Sequence, residues 1–374
     1  ISSDSWPIYI SLQKDGILFK MRRTQDLPDK ESATMFFQDC KLAHQAQITG
    51  ISHSVKEILP PDLLDLTQLQ KEANIRYGFT ASEVYDIAQS LYEKKLISYP
   101  RTSSRYLTED VLDSLPPIMA RLLSWELFPA AKGTGGIDIS NLSRHVISAE
   151  KANVHHAIII TGIRPGNLSE KEMQVYRLVA GRMLETFMAP CRIETTNVEA
   201  VCAAQHFKAE QTRIIEAGWH DVFMRSDMVP KSGYSVNELP EVEKSDTLNV
   251  CGCNMVHKKQ LPVNPFTDAE LVEYMEQNGL GTVSSRTNII RTLVNRKYIR
   301  YSGKYIVPTP KGMFTYETIR GKKIADTSLT ADWEKQLTGL ESGMITGQDF
   351  LNRIRTLAKE MTDDIFNTYS TKEE

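Results

Sequence analysis

What most limits the fold of this chain is a change of hydrophobic period that occurs more than once. Up to Pro60-Pro61 the sequence alternates as strands do, and Trp6-Pro7-Ile8-Tyr9-Ile10-Ser11-Leu12 and Ile17-Leu18-Phe19-Lys20-Met21 flank a Lys14-Asp15-Gly16 hairpin signal. From there to about Pro190 the apolar residues recur at helical spacing. Alternation then returns, as in Thr196-Asn197-Val198-Glu199-Ala200-Val201 and from Phe207 to Ile215, and the last third is helical again. A strand pattern interrupted and resumed implies a β-rich domain in two segments with a helical domain threaded into it. The expected fold class is multidomain α+β. The expected boundaries are 1–64 and 191–262 for the β-rich domain, 65–190 for the inserted helical domain and 263–374 for a second helical domain.

Caps place the helices. Asp65 or Thr67 opens one that runs to Tyr77 and ends at Gly78. Thr80-Ala81-Ser82-Glu83, Ser169 with Glu172, and Thr267-Asp268-Ala269-Glu270 read as capping boxes. After the second helix, Leu96-Ile97-Ser98-Tyr99 is extended and Pro100 bars another turn, a winged-helix-like layout. In the last third, Gly279-Leu280-Gly281-Thr282 turns the chain, Ser284 or Ser285 caps the next helix, and Tyr298–Tyr301 and Lys304–Val307 form a hairpin about Ser302-Gly303. Helix, turn, helix and two-stranded wing is a nucleic-acid-binding arrangement. Residues 130–136, AAKGTGG, read as a flexible loop.

Bulk properties exclude some classes. With 374 residues, 41% of them hydrophobic, the chain has ample material for several cores. A net charge of −3 gives no global sign of nucleic acid, so that argument has to be local. Five scattered cysteines suit a reducing cytoplasm. Cys251 and Cys253 are too close together, and lack the second pair, for a zinc site, so no metal is expected on this chain. There is neither a membrane-length apolar run nor a signal peptide. The chain begins with Ile1, and it is expected to be part of a longer polypeptide.

The chemistry-bearing stretch is Leu91–Leu107, LYEKKLISYPRTSSRYL, which sets Tyr99 beside Arg101, Thr102, Ser103 and Ser104. A phenol is a usable covalent nucleophile if its charge is managed. An ordinary phenol is only ~0.1% ionised at pH 7, a deficit of about 4 kcal/mol. A guanidinium two residues on offsets part of that and can grip a phosphate through two parallel hydrogen bonds. Most tyrosines are half-buried packing residues, and the chain has 14, so local chemistry leaves Tyr99 open between the two roles.

A second region is the mouth of the helix after Gly281, where Ser284, Ser285 and Arg286 lie and where free N–H groups favour an anion. From Arg286 to Lys304 the chain carries Arg286, Arg291, Arg296, Lys297, Arg300 and Lys304, no acid, and tyrosines 298, 301 and 305 between them. Cations for phosphates and rings for bases suit a single strand. A third region is Val154-His155-His156-Ala157-Ile158-Ile159-Ile160-Thr161. Adjacent side chains on an extended stretch point opposite ways, so the two histidines would not share a metal.

ISYPRTSSRYL resembles the active-site segment of type IA DNA topoisomerases of the topoisomerase III branch, Tyr-x-Arg-Thr-Asp-Ser. Tyr99, Arg101, Thr102 and Ser104 match, and Ser103 stands where the family has aspartate. Leu280–Ile299 resembles the family's Gly-x-Gly-x-Pro segment for single-stranded DNA, with Val283 for the proline, and Arg296 matches a backbone-contacting arginine. His155 matches the histidine of His-x-Ala-Ile-x-Pro-Thr, with Ile160 for that proline. Weaker likenesses run from Pro60-Pro61 to Phe79 and from Leu329 to Gly343, so the resemblance covers nearly the whole chain.

The resemblance implies a β-rich arch domain, an inserted helical domain carrying the tyrosine, and a second winged-helix-like domain. It implies transient cleavage of one DNA strand through a 5′-phosphotyrosine at Tyr99, strand passage through the arch, and no nucleotide triphosphate. Arg101 and His155 would be catalytic, and Thr102, Ser104, Ser284, Ser285, Arg286, Arg291 and Arg296 would bind DNA. The family's general acid and its Mg2+ belong to an N-terminal Toprim domain. No Asp-x-Asp occurs here, so this chain resembles the family's core without Toprim domain or C-terminal zinc fingers. The expectation is a cytoplasmic monomer that binds single-stranded DNA but needs the Toprim part to cleave it. The rivals are a non-catalytic winged-helix DNA-binding protein and a tyrosine recombinase. The recombinase needs His-x-x-Arg, and none of the 8 histidines has arginine three residues on.

Overall fold

The computed structural model describes residues 4–125, 127–129, 137, 142, 144–152, 155–224, 231–259 and 264–370. The expected loop at 130–136 lies outside them. The chain divides into two compact units, one from Ile1–Pro61, Glu126–Leu142 and Leu184–Asn264, the other from Asp62–Trp125, Ser143–Met183 and Pro265–Glu374.

The first unit is a closed antiparallel barrel. Its strands are β1 (Ile8–Lys14), β2 (Ile17–Arg23), β3 (Gln45–Ile58), β4 (Cys191–Cys202), β5 (Gln205–Glu216) and β6 (Thr247–Met255), in the order β1-β2-β5-β4-β3-β6. The period-2 pattern builds it: Ile8, Ile10 and Leu12 of β1, Phe19 and Met21 of β2, Ile48 of β3, Val198 and Ala200 of β4, and Phe207 and Ala209 of β5 turn inward to one core. Closure leaves the sheet no free edge, which suits strands as long as β3.

The β-rich stretch 1–60 also holds one helix that the alternation did not indicate. Helix α1 (Lys30–Leu42) lies between β2 and β3. Asp29 caps it by accepting from the Ser32 N–H at 2.7 Å, and Ala33 and Cys40, seven apart, are buried on one face. Phe36 and Phe37 pack against the same core, so the face follows i, i+3, i+4, i+7 spacing, a helical signal that the alternation of the flanking strands overshadowed.

The second unit holds α2 (Leu66–Tyr77), α3 (Ala81–Glu93), α4 (Glu109–Ser124), most of α5 (Glu170–Phe187), α6 (Asp268–Gln277), α7 (Val283–Asn295), the hairpin β7 (Ile299–Ser302) and β8 (Tyr305–Pro308), then α8 (Pro310–Ile319), α9 (Thr327–Glu341) and α10 (Gly347–Ser370). Asp65, not Thr67, caps α2, accepting from Gln68 N–H at 2.7 Å, and Gly78 ends it in the left-handed region. The capping boxes at Thr80, Ser169 and Thr267 are formed. The cap of α7 is Thr282 rather than Ser284 or Ser285; Ser285 is the reciprocal partner, accepting from Thr282 N–H at 2.8 Å.

Packing here joins segments far apart in sequence. Gln70, 1% exposed, donates to Ala81 O at 3.0 Å and to Thr287 Oγ1 at 2.9 Å. Buried Asp268 accepts from the Ala81 N–H and, at 2.7 Å, from Tyr301 O–H. A buried carboxyl without such donors would cost several kcal/mol, so these bonds fix α2, α3, α6, α7 and the wing in one arrangement.

Candidate active site

Tyr99 leaves α3 on a short extended stretch whose flanks are fastened to the His155–Thr161 segment. Ser98 N–H donates to Ile159 O at 2.8 Å, and Ile159 N–H donates back to Ser98 Oγ at 2.9 Å. Thr102 Oγ1 donates to His155 O at 3.0 Å, and Leu66 N–H donates to Thr102 O at 3.1 Å. Each of these bonds has a backbone group at one end at least, so the mount is stiff without regular sheet. Ile160, standing for the proline of the resemblance, uses its N–H to reach Met183 Sδ at 3.1 Å, a bond proline could not make.

The side chain of Tyr99 is half-buried, not sealed in a core. Its ring lies 4.4 Å from that of exposed His155 and 5.4 Å, edge to face, from that of Tyr92. Beside it, Arg101 lies over the ring of Tyr85 at 5.0 Å and donates from Nη2 to Gln89 Oε1 at 3.2 Å; its Nε is buried and has no partner. Arg101 also lines a groove of about 470 Å³ with Tyr85, Ser284, Ser285, Asn288, Ile289, Thr292 and Leu293. Arg101 and the hydroxyls at the start of α7, about 180 positions apart, thereby share one wall.

The rings of Tyr99 and His155 adjoin, Arg101 follows Tyr99 by two residues, and Ser284 and Ser285 line the groove with Arg101. The other residues assigned to DNA have different surroundings. Thr102 and Ser104 are 4% and 3% exposed, and their hydroxyls are bonded to the His155 and Lys151 carbonyls, which turns them into the mount rather than its outer face. Arg286 is 8% exposed and bonds Glu276 Oε1 at 3.2 Å and Leu280 O at 3.3 Å, so it braces the turn that it was expected to lead out from. Arg291 is tied to Ser82 and to Asp86 at 2.8 Å. Arg296 is exposed at the far end of α7. Ser103 is exposed, and His156 bonds the Ala157 carbonyl at 2.7 Å. One-dimensional matching could not separate an outward hydroxyl from an inward one, because both occur in a loop without a period.

Tyr85, Gln89 and Tyr92 were not singled out from the sequence. Their spacing of four and three on α3 was the available signal, since it puts all three on the face that meets the tyrosine segment. Gly281 has φ +70°, and a Cβ there would lie 2.8 Å from Ser285 Oγ and 3.0 Å from Ile289 Cδ1, so the groove-side turn needs glycine. No group of three or more His, Cys, Asp or Glu side chains converges to hold a metal among the described residues. No helix among them is long and apolar enough to cross a membrane.

Sequence comparison identifies the family. The family model described as "DNA topoisomerase" matches residues 1–352. The chain belongs to that family, in its type IA class. Among relatives, DNA topoisomerase 3 of Bacillus licheniformis is 31% identical over 344 residues, covering 86% of this chain and 47% of that protein. DNA topoisomerase 3 of Bacillus subtilis is 30% identical over 355 residues, covering 87% and 48%. The chain spans about half the length of the curated relatives it matches. The solved structure of full-length topoisomerase I from Thermotoga maritima superposes with a TM-score of 0.71 at 23% identity over 95% of this chain and 58% of that one, a likeness of fold.

Proposed function

We propose that this chain carries the strand-cutting tyrosine of a type IA DNA topoisomerase of the topoisomerase 3 kind. Tyr99 Oη gives up its proton to solvent and attacks the phosphorus of a single-stranded segment. The bond from phosphorus to the 3′ oxygen breaks, that oxygen takes a proton, and the phosphodiester is conserved as a 5′-phosphotyrosine. Reversal after strand passage through the arch reseals the strand, so no nucleotide is consumed. Arg101 holds the scissile phosphate, His155 steadies the developing charge, and Ser284, Ser285 and exposed Arg296 guide the strand. The protein works as a monomer in the cytoplasm.

One observation carries the reading: a half-buried phenol packed between His155 and Tyr92, with the guanidinium of Arg101 in a groove shared with the start of α7. The proton donor and the Mg2+ of the resemblance belong to a Toprim domain. Residues 1–374 taken alone are therefore proposed to bind single strands without relaxing DNA.

The test uses a 3′-labelled oligonucleotide with the Toprim domain supplied on the same chain or in trans. A covalent adduct on the wild type and none on Tyr99→Phe is expected. An undiminished adduct on Tyr99→Phe sinks the proposal and favours a non-catalytic DNA-binding protein.

A further inference from the structure

Arg101 differs from the arginines around it in how it is held. Arg105 faces Asp65 at 2.6 Å, Arg182 faces Glu72 at 2.8 Å, Arg286 faces Glu276 at 3.2 Å and Arg291 faces Asp86 at 2.8 Å. Arg101 forms no ion pair among the described residues; its partners are an amide oxygen and a ring face. The amide is oriented by its other end, since Gln89 Nε2 donates to Glu93 Oε1 at 2.8 Å, which leaves Oε1 for Arg101. Tyr85, Gln89 and Glu93 succeed one another at intervals of four along one face of α3.

A carboxylate holding Arg101 would neutralise its charge and compete with a phosphate for the same N–H groups. An amide and a π face fix the guanidinium plane while leaving the charge whole. Glu93, one turn further on, acts on the amide and not on the arginine. We propose that Tyr85 and Gln89 are positioning residues that present Arg101, un-neutralised, to the scissile phosphate. This rests on the proposed cleavage by Tyr99 and goes beyond it, because it specifies that the clamp has to be neutral.

The neutral clamp gives an order of effects that a merely structural role would reverse. Gln89→Glu keeps the size and the hydrogen bond, so a structural role makes it the mild substitution and Gln89→Ala the harmful one. A charge-preserving clamp makes Gln89→Glu the worse of the two. The measurement is single-turnover cleavage of a single-stranded oligonucleotide as a function of its concentration, on the protein with its Toprim domain. Expected are a loss of about 50-fold in the limiting rate for Gln89→Glu, about 5-fold for Gln89→Ala and about 10-fold for Tyr85→Leu, with smaller changes in half-saturating concentration. Tyr85→Phe, which keeps the ring face, should recover most of the rate. In an Arg101→Ala background the Gln89 and Tyr85 losses should vanish, because they act through that side chain.

Gln89→Glu cleaving like the wild type, or losses that simply add to that of Arg101→Ala, would overturn the neutral clamp. Wild-type cleavage by Tyr99→Phe and Arg101→Ala would instead overturn the underlying assignment. Both Gln89 and Tyr85 are half-buried on the surface of α3, and far-UV circular dichroism of each variant checks that the helix persists.

Discussion

Each of the two units has an apolar core, but they differ in what else ties their elements together. In the barrel, side chains of alternating positions meet in one apolar core, from Ile8 to Leu248. In the helical unit, the bonds that set the architecture are polar and long in sequence: Gln70 to Thr287, Asp268 to Ala81 and Tyr301, Asp65 to Arg105. Apolar burial is non-directional and stabilises any arrangement that hides the same area. Hydrogen bonds have geometry, and a buried one that is broken costs more than it contributes when made. The unit that carries Tyr99 and Arg101 is the one whose distant segments are tied by buried side-chain hydrogen bonds.

The widest separation between the two means should come from Tyr99→Phe. It removes one oxygen from a half-buried ring, so strand cleavage should disappear in an adduct gel while denaturant stability shifts by less than about 0.5 kcal/mol. Phe207→Ala should do the reverse. It empties a fully buried site in the barrel, and urea unfolding should register a loss of about 4 kcal/mol, with single-strand affinity unchanged under folding conditions. If it also abolishes binding, the contrast drawn between the units fails.

Gly281→Ala is a smaller perturbation that should act locally. The positive φ and the close approach to Ser285 should cost about 1–2 kcal/mol and loosen the start of α7, with weaker binding of a fluorescent single strand as the readout. The smallest effect is a pH dependence. Lys94 above all, with Ser169 and Ser90, holds the Glu172 carboxyl down to about 2. A lowered folded pKa means stabilisation that is present above the ordinary glutamate range near 4.5 and is lost as pH falls towards 2. Glu172→Gln should lose about 1 kcal/mol at pH 7, discounted for solvent, and almost nothing at pH 2. Equal losses at both pH values would show that the pair matters by shape alone.

Much of this was legible along the chain. The β1–β2 hairpin follows from alternation around Asp15-Gly16, and α2, α3 and α6 follow from Asp65, Thr80 and Thr267, because caps and periods are local properties of the backbone. Helix α1 was missed although Ala33, Phe36, Phe37 and Cys40 keep helical spacing, because the strand alternation on either side dominated the reading. Within the site, Tyr99 and Arg101 were marked by their type and spacing together with the family resemblance, and His155 by the resemblance alone, whereas the direction of Thr102 and Ser104 was not legible. A loop carries no period from which facing can be read.

By itself the sequence determined which segments alternate, where helices start, and that a tyrosine and an arginine lie two residues apart. Only the tertiary structure decided that Arg286 and Arg291 are taken by carboxylates while Arg101 is left to an amide and a ring. Caps and periods depend on neighbours a few residues away. Which charge is neutralised depends on partners from other elements, some about 200 positions distant, and those distances are set by packing.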